Sequence, residues 1–420
     1  MRLGFLIFLN LLMAISAHAQ VVQSKCATSP TGKGEISGVA IDKRLPIASV
    51  SKLVTSYWAI RKAGPHFQYH TKIKFKKVTA QTYEVHIEGS QDPYFGREKL
   101  HFLVSELNQR GVQNVRKLTF DENFLFLQDL DIFENPFNRN GNKWVWFNWY
   151  LYPTSHVRTK KELQKGFLNQ YARTLAKAKK SNILMVSKPR FSVTEIEYLP
   201  SNSQPDNSGA SFYIRSAKLI HLLKEMNRNS NNFSAVSIFN FLGGPKEFQD
   251  FIKKDLGLGP DSILFYEGSG NRVANEAKYN EASCRALLRV FQALDLNVQK
   301  SGFKMQDVVS VIGQDGLVDE GTGYSDDNTH SSGVAKTGTI DASISLGGML
   351  NTHPAKTYFM FNVKPRYPGE TRASRSLIAK EVRALARQHA THLKELYNHS
   401  TAFLSFDQSI TLHPMIYRMK

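Results

Sequence analysis

The stretch LPIASVSKLVTSYWAIRKAG (45–64) sets Ser49 three residues before Lys52, at the start of an apolar run of helical period. Residues at i and i+3 share a helix face. An amine placed there can take the serine proton and turn the hydroxyl into a nucleophile. Serine is also a common helix cap, so a capped helix with a surface lysine is the plain alternative. Two other stretches shift the balance. Lys336-Thr337-Gly338 lies in a strand pattern. A lysine and a threonine there can hold a carboxylate, and a glycine lets a substrate backbone come close. Ser230-Asn231-Asn232 lies in the polar knot RNSNN between helical runs at 216–227 and 232–244. A nucleophile, a base, a second hydroxyl and a carboxylate anchor are the parts that acyl transfer through a serine ester requires.

Each triplet recurs elsewhere, so spacing alone does not select among them. Ser301-Gly302-Phe303-Lys304 repeats the first pattern, Ser269-Gly270-Asn271 the second, and Lys300-Ser301-Gly302 imitates the third. Context separates them. The Ser301 match carries an internal glycine at a helix end, and Lys300 is not in a strand pattern. Ser49, Ser230 and Lys336 stand in a helix, an inter-helix loop and a strand.

These elements must be held by a larger frame. Val50, Leu53, Val54, Tyr57 and Trp58 predict an amphipathic helix, with Pro46 before it and Gly64-Pro65 ending it. A strand is expected over 34–46. Strict alternation at 71–78 and 82–89 predicts a hairpin, followed by a helix over 98–110 and a strand over 115–126. An aromatic-rich stretch (142–152), a basic helix (158–180) and a linker-like SNSQPDNSG (201–209) come next. A helix over 275–297, strands at 333–340, 342–350 and 357–363, and a helix over 374–398 complete the reading. The expected fold is α+β: a domain of helices and antiparallel sheet, built from 20–70 and 209–420, interrupted by an inserted, mainly β-containing domain at 71–208.

The 420 residues carry 54 Lys plus Arg against 36 Asp plus Glu, a net charge of +18. Arg2, the apolar run from Leu3 to Ile15 and the small-residue site Ala17-His18-Ala19 read as a secretory leader, 1–19, cleaved near Ala19. Export to the periplasm or beyond argues against nucleic acid as the anionic partner. It favours cell-wall polymer, and the charge is compatible with peripheral association with wall or membrane surface. No transmembrane segment is expected. Cys26 and Cys284 permit one disulfide in an oxidising compartment, and the sequence leaves the pairing open. No metal site or cofactor is expected, because His66, His70, His389, His392 and His399 lack a completing Glu pattern.

Ser-x-x-Lys, a Ser-x-Asn triplet and Lys-Thr-Gly occur together in penicillin-interacting serine enzymes. The chain resembles the class C low-molecular-mass penicillin-binding proteins, the D-alanyl-D-alanine carboxypeptidase/endopeptidase group of the penicillin-binding protein 4 type. The resemblance rests on PIASVSKLVTSYWAI, IEGSQDPYF, LHFLVSELNQRGVQNVRKLTFDENF, MNRNSNNFSA, YEGSGN, IGQDGLV and AKTGTI, in family order. It implies a serine β-lactamase/transpeptidase-like domain with an insertion. It also implies an exported DD-peptidase that cleaves D-Ala-D-Ala termini or D-Ala–diamino-acid cross-links of peptidoglycan and is acylated by β-lactam antibiotics. In that reading Ser49 attacks. Lys52 is the base, tuned by Lys336 and partial burial. Ser230 relays the proton and Asn232 holds the substrate amide. The N–H groups of Ser49 and Thr339 form the oxyanion hole, and Lys336, Thr337, Gly338 and Thr339 line the carboxylate site. Asp121 and Phe126 line a pocket for the stem-peptide side chain. The chain departs from the family in a shortened insertion, in Asn231 at the middle of the second triplet, in Glu267 where an aspartate is usual, and in a tail after His399. The rival readings are a β-lactamase and a non-catalytic wall-binding or penicillin-sensing module.

Overall fold

The computed structural model describes residues 22–29, 31, 34–126, 160–203, 209–273, 278–319, 322–365, 367, 370–388 and 411–412. The leader, the 142–152 stretch, the centre of the 201–209 linker and all of the tail after His399 but 411–412 lie outside them.

Helix Ser51–Ala63 is the hub of the first core. The periodicity predicts one apolar face; instead every residue from Ser51 to Ile60 is buried. Helices Leu219–Arg228, Asn232–Phe241, Gly244–Leu256 and Cys284–Lys300 all pack against it. A helix enclosed on all sides has no wet face to mark in the sequence. Trp58 sits edge-on to Phe239 at 5.1 Å and to Phe248 at 5.5 Å between ring centres. The helix Gly244–Leu256 has no counterpart in the sequence reading.

Five antiparallel strands form the main sheet, in the order Gly333–Ile340, Ser343–Leu350, Thr357–Val363, Val22–Thr28, Ile36–Val39. The first three match the expected strands almost residue for residue. Helix Cys284–Lys300 packs on one part of this sheet and helix Thr371–Gln388 on another. A disulfide joins Cys26, in the Val22–Thr28 strand, to Cys284 at the start of the first of these helices. The single strand expected over 34–46 is two short ones, Ile36–Val39 and Arg44–Pro46, in different sheets. Ala40, at φ +50°, makes the break between them.

A second sheet has six strands in the order Thr411–Leu412, Ala210–Arg215, His70–Lys77, Tyr83–Glu88, Asn114–Phe120, Ser192–Tyr198. The expected hairpin is its centre. Tyr83–Glu88 and Asn114–Phe120 run parallel, which demands a crossover; helix Arg97–Gln109 supplies it. The sequence reading ended the insertion at 208. The return strand Ala210–Arg215 is in register with His70–Phe75, so this sheet extends to Arg215, six residues past the turn-rich segment that ends at 209.

The two halves meet in a buried cluster of Tyr69, Tyr94, Ala217, Leu222 and Phe233. Tyr94 is fixed from the insertion side by Asp92, whose Oδ1 accepts the Tyr94 N–H at 2.9 Å. The Asp92 Oδ2 is paired with Lys99, and both side chains are fully enclosed. Breaking a buried pair from one side strands the other charge. Lys99→Met is expected to cost about 3–5 kcal/mol, read as a lower urea midpoint.

Candidate active site

Ser49 lies in the 3-10 turn Ala48–Val50 that leads into the central helix, not in the helix itself. Ala48 has φ +49°, so the chain kinks immediately before the serine. The turn is pinned from the main sheet. Ser345 Oγ donates to the Ile47 carbonyl at 2.8 Å, and Asn362 Nδ2 to that of Pro46 at 2.7 Å. Gly338 is required by the same contact. A Cβ there would lie 2.3 Å from Ser345 Oγ and 2.9 Å from both the Ala48 Cβ and the Ile47 carbonyl oxygen.

Lys52 is completely buried. Its ammonium has three acceptors: Ser49 Oγ at 2.9 Å, Asn232 Oδ1 at 2.7 Å and the Ser269 carbonyl at 3.0 Å. Loss of water lowers its pKa to about 7, and the negative charge of Glu267 works against that fall. The sequence reading expected partial burial and a contribution from Lys336. Burial is total, and the coupling runs the other way. Lys336 is held well below the ordinary lysine range by burial and by the charge of Lys52.

Lys336 Nζ donates to Ser230 Oγ at 3.0 Å and to the Thr337 carbonyl at 2.8 Å. Ser230 stands at φ +52° between helices Leu219–Arg228 and Asn232–Phe241. The middle residue of the triplet explains itself: Asn231 Oδ1 accepts the Ser234 N–H at 2.9 Å and caps the second helix, work that an aspartate would do equally. Asn227 ties the loop inward through Ser56 Oγ and the Val308 carbonyl, each at 3.0 Å. Thus Ser49, Lys52 and Asn232 form one hydrogen-bonded set and Ser230 and Lys336 a second, with Lys336 near enough to Lys52 to feel its charge.

Thr337 and Gly338 are buried beside it, and Thr339 is exposed on the same strand, its hydroxyl accepting from Arg375 Nη2 at 3.2 Å. Asp121 and Phe126 stand in the inserted half. Phe126 is buried in the core of that half. Asp121 Oδ1 accepts the N–H groups of Gly89 at 2.9 Å and Asn123 at 3.1 Å. Its Oδ2 is buried with no hydrogen-bond partner among the described residues, and burial raises its pKa. The competing match at Ser301 is the end of helix Cys284–Lys300, with Gly302 at φ +79°. The other decoy, Ser269-Gly270-Asn271, is not idle: its carbonyl is the third acceptor of Lys52. The sequence reading gave this turn no role, although Gly268-Ser269-Gly270 marks a place where side chains cannot fit.

The sequence model described as the D-Ala-D-Ala carboxypeptidase 3 (S13) family matches residues 31–131 and 199–383. No match is found among curated protein sequences. In structure the chain resembles the Bd0816 predatory endopeptidase of Bdellovibrio bacteriovorus, solved in complex with immunity protein Bd3460. The TM-score is 0.78 with 28% identity, covering 93% of this chain and 99% of that one. It also resembles the penicillin G-acylated Bd3459 predatory endopeptidase of the same organism, with TM-score 0.79, 27% identity, and 94% and 100% of the two chains covered. Penicillin-binding protein 4 of Haemophilus influenzae shares the fold at TM-score 0.57 and 15% identity, over 89% of this chain and 98% of that one.

The close approach at Gly338 is open to direct test. Gly338→Ala is expected to push the strand off the serine turn, at about 1–3 kcal/mol of overpacking. Serine acylation should fall at least about tenfold, the kinetic equivalent of 1.4 kcal/mol, measured as adduct formation against time.

Proposed function

The chain belongs to the D-Ala-D-Ala carboxypeptidase 3 (S13) family and is a serine-type DD-peptidase; from that premise we propose that Ser49 is its nucleophile, Lys52 its base and peptidoglycan its substrate. The observation that carries this is the contact between a wholly buried Lys52 amine and Ser49 Oγ at 2.9 Å. An amine with a pKa of about 7 is free to accept a proton at neutral pH.

Ser49 Oγ attacks the carbonyl of the penultimate D-alanine as its proton passes to Lys52. The N–H groups of Ser49 and Thr339 receive the developing oxyanion. The tetrahedral intermediate collapses when the leaving amine takes a proton through Ser230, which Lys336 holds in place. Water then hydrolyses the ester. Asn232 holds Lys52 in the free enzyme and can turn to the substrate amide as the proton moves. Lys336, Thr337, Gly338 and Thr339 take the carboxylate that follows the scissile bond. Penicillin acylates Ser49 by the same attack.

The likeness to predatory peptidoglycan endopeptidases supports cleavage of cross-links, with the chain acting beyond the inner membrane on the wall. No helix among the described residues is long and apolar enough to cross a membrane. Asp121 and Phe126 are assigned to the stem-peptide subsite; the unpartnered Asp121 Oδ2 supports a pairing with the free amine of a diamino acid.

Intact mass after benzylpenicillin tests the nucleophile. One penicilloyl adduct is expected on the wild type and none on Ser49→Ala; sustained turnover without an adduct would mean a β-lactamase. Lys52→Ala should acylate about 10²–10⁴-fold more slowly. In the wild type the acylation rate should climb as Lys52 loses its proton, reaching half its maximum near pH 7. On muropeptides, Asp121→Asn should slow cleavage of amine-bearing stems and spare amine-lacking ones.

A further inference from the structure

The turn Glu267–Gly270 is the one part of the Lys52 environment that the mechanism above leaves unused. It is wedged between two elements of the site. A Cβ on Gly268 would lie 2.1 Å from the Ala235 carbonyl oxygen, in the Asn232–Phe241 helix. A Cβ on Gly270 would lie 1.9 Å from that of Ala48, in the serine turn, and Gly270 has φ +86°. From the central helix, Thr55 Oγ1 donates to the Gly268 carbonyl at 2.9 Å. The buried Asn280 grips the start of the turn: its Oδ1 accepts the N–H groups of Tyr266 at 2.8 Å and Glu267 at 3.3 Å, and its Nδ2 donates to the Glu267 carbonyl at 2.6 Å.

Within that frame the Glu267 side chain curls back on its own turn. One carboxylate oxygen accepts the Ser269 N–H at 2.8 Å and the other the Gly270 N–H. Burial raises the Glu267 pKa, while these two N–H donors and the charge of Lys52 favour its ionised, acceptor-only form. The peptide so clasped is the one whose carbonyl receives Lys52 Nζ.

We propose that Glu267 is a positioning residue for Lys52: its carboxylate holds the carbonyl that orients the amine, and its charge governs how readily that amine gives up its proton. This rests on Lys52 being the base. The groups facing Lys52 are few. Ser49 comes from the serine turn, Asn232 from the following helix, Glu267 and the Ser269 carbonyl from the turn, and Lys336 from the sheet. Of the charged ones, Glu267 opposes the effect of burial on Lys52, while Lys336 is itself lowered by burial and by the charge of Lys52. A turn held by a neutral side chain would have the same shape without this field.

The sign follows from charge. A neighbouring anion stabilises the ammonium, so removing it makes Lys52 a free amine at lower pH. The measurement is the rate of benzylpenicillin acylation against pH, with folding followed by thermal melting. Glu267→Gln is expected to shift the acid limb downward by about one pH unit and to lower the maximal rate. Glu267→Asp keeps the charge with a shorter reach, so its limb should stay at the wild-type position while its rate falls. An unmoved limb in a folded Glu267→Gln overturns the proposal, because a purely structural role changes amplitude alone. If the amide variant does not fold, Glu267→Asp decides: a displaced limb at full rate overturns the proposal, and a fixed limb at reduced rate supports it. Lys52→Ala acylating at the wild-type rate would remove the base assignment; an unmoved limb in Glu267→Gln removes only the role of Glu267.

Discussion

The site depends on keeping one ammonium group away from water. A lysine with no solvent contact must be given acceptors in place of its hydration shell, and Lys52 has three, each from a different segment. That requirement dictates much of the surrounding structure. The serine turn must kink so that Ser49 faces the amine. The Asn232 helix must begin where its first side chain reaches it. The Ser269 peptide must be pressed in from behind. The glycines at 268, 270 and 338 stand where these segments crowd together. What looks like a catalytic group added to a fold is closer to a fold arranged around a desolvated charge.

Burial of this kind links the two halves of the molecule. The Asn232 helix carries an acceptor of Lys52 at its first residue and Phe233, a member of the interdomain cluster, at its second. Tyr94 reaches that cluster from the inserted half, on a loop stiffened by the Asp92–Lys99 pair. The insertion thus buttresses the helix that carries Asn232. Its sheet includes the strand that returns the chain to the first half, so the sheet runs on past the polar stretch to Arg215.

Local chemistry was legible in the sequence and long-range geometry was not. Ser49 and Lys52 are three residues apart, and Lys336-Thr337-Gly338 sits in an alternating strand, so both are visible to patterns of period 3.6 and 2. Asn231 was visible as a departure but not as a cap, because a cap is recognised by the N–H it serves. Glu267 was noticed only as the wrong acid. Its charge acts on Lys52, more than 200 positions away, which no window covers. The Val22–Thr28 strand escaped notice because it follows the leader, and the Gly244–Leu256 helix because it has only two fully buried apolar side chains, Phe248 and Ile252, to carry a period. The central helix was found, yet its total enclosure was not, since an all-round buried helix and an amphipathic one share the same apolar positions.

The placing of Val22–Thr28 carries a consequence for how the enzyme comes into being. This strand, the earliest described part of the chain to be synthesised, is hydrogen-bonded to Thr357–Val363, among the last. The sheet that presents Lys336 to Ser230 cannot close until the C-terminal quarter has emerged, and loop closure over that distance makes assembly late. A half-made chain holds Ser49 and Lys52 but neither the strand nor the partner amine. The site is therefore completed only when the two ends of the described chain meet in this sheet.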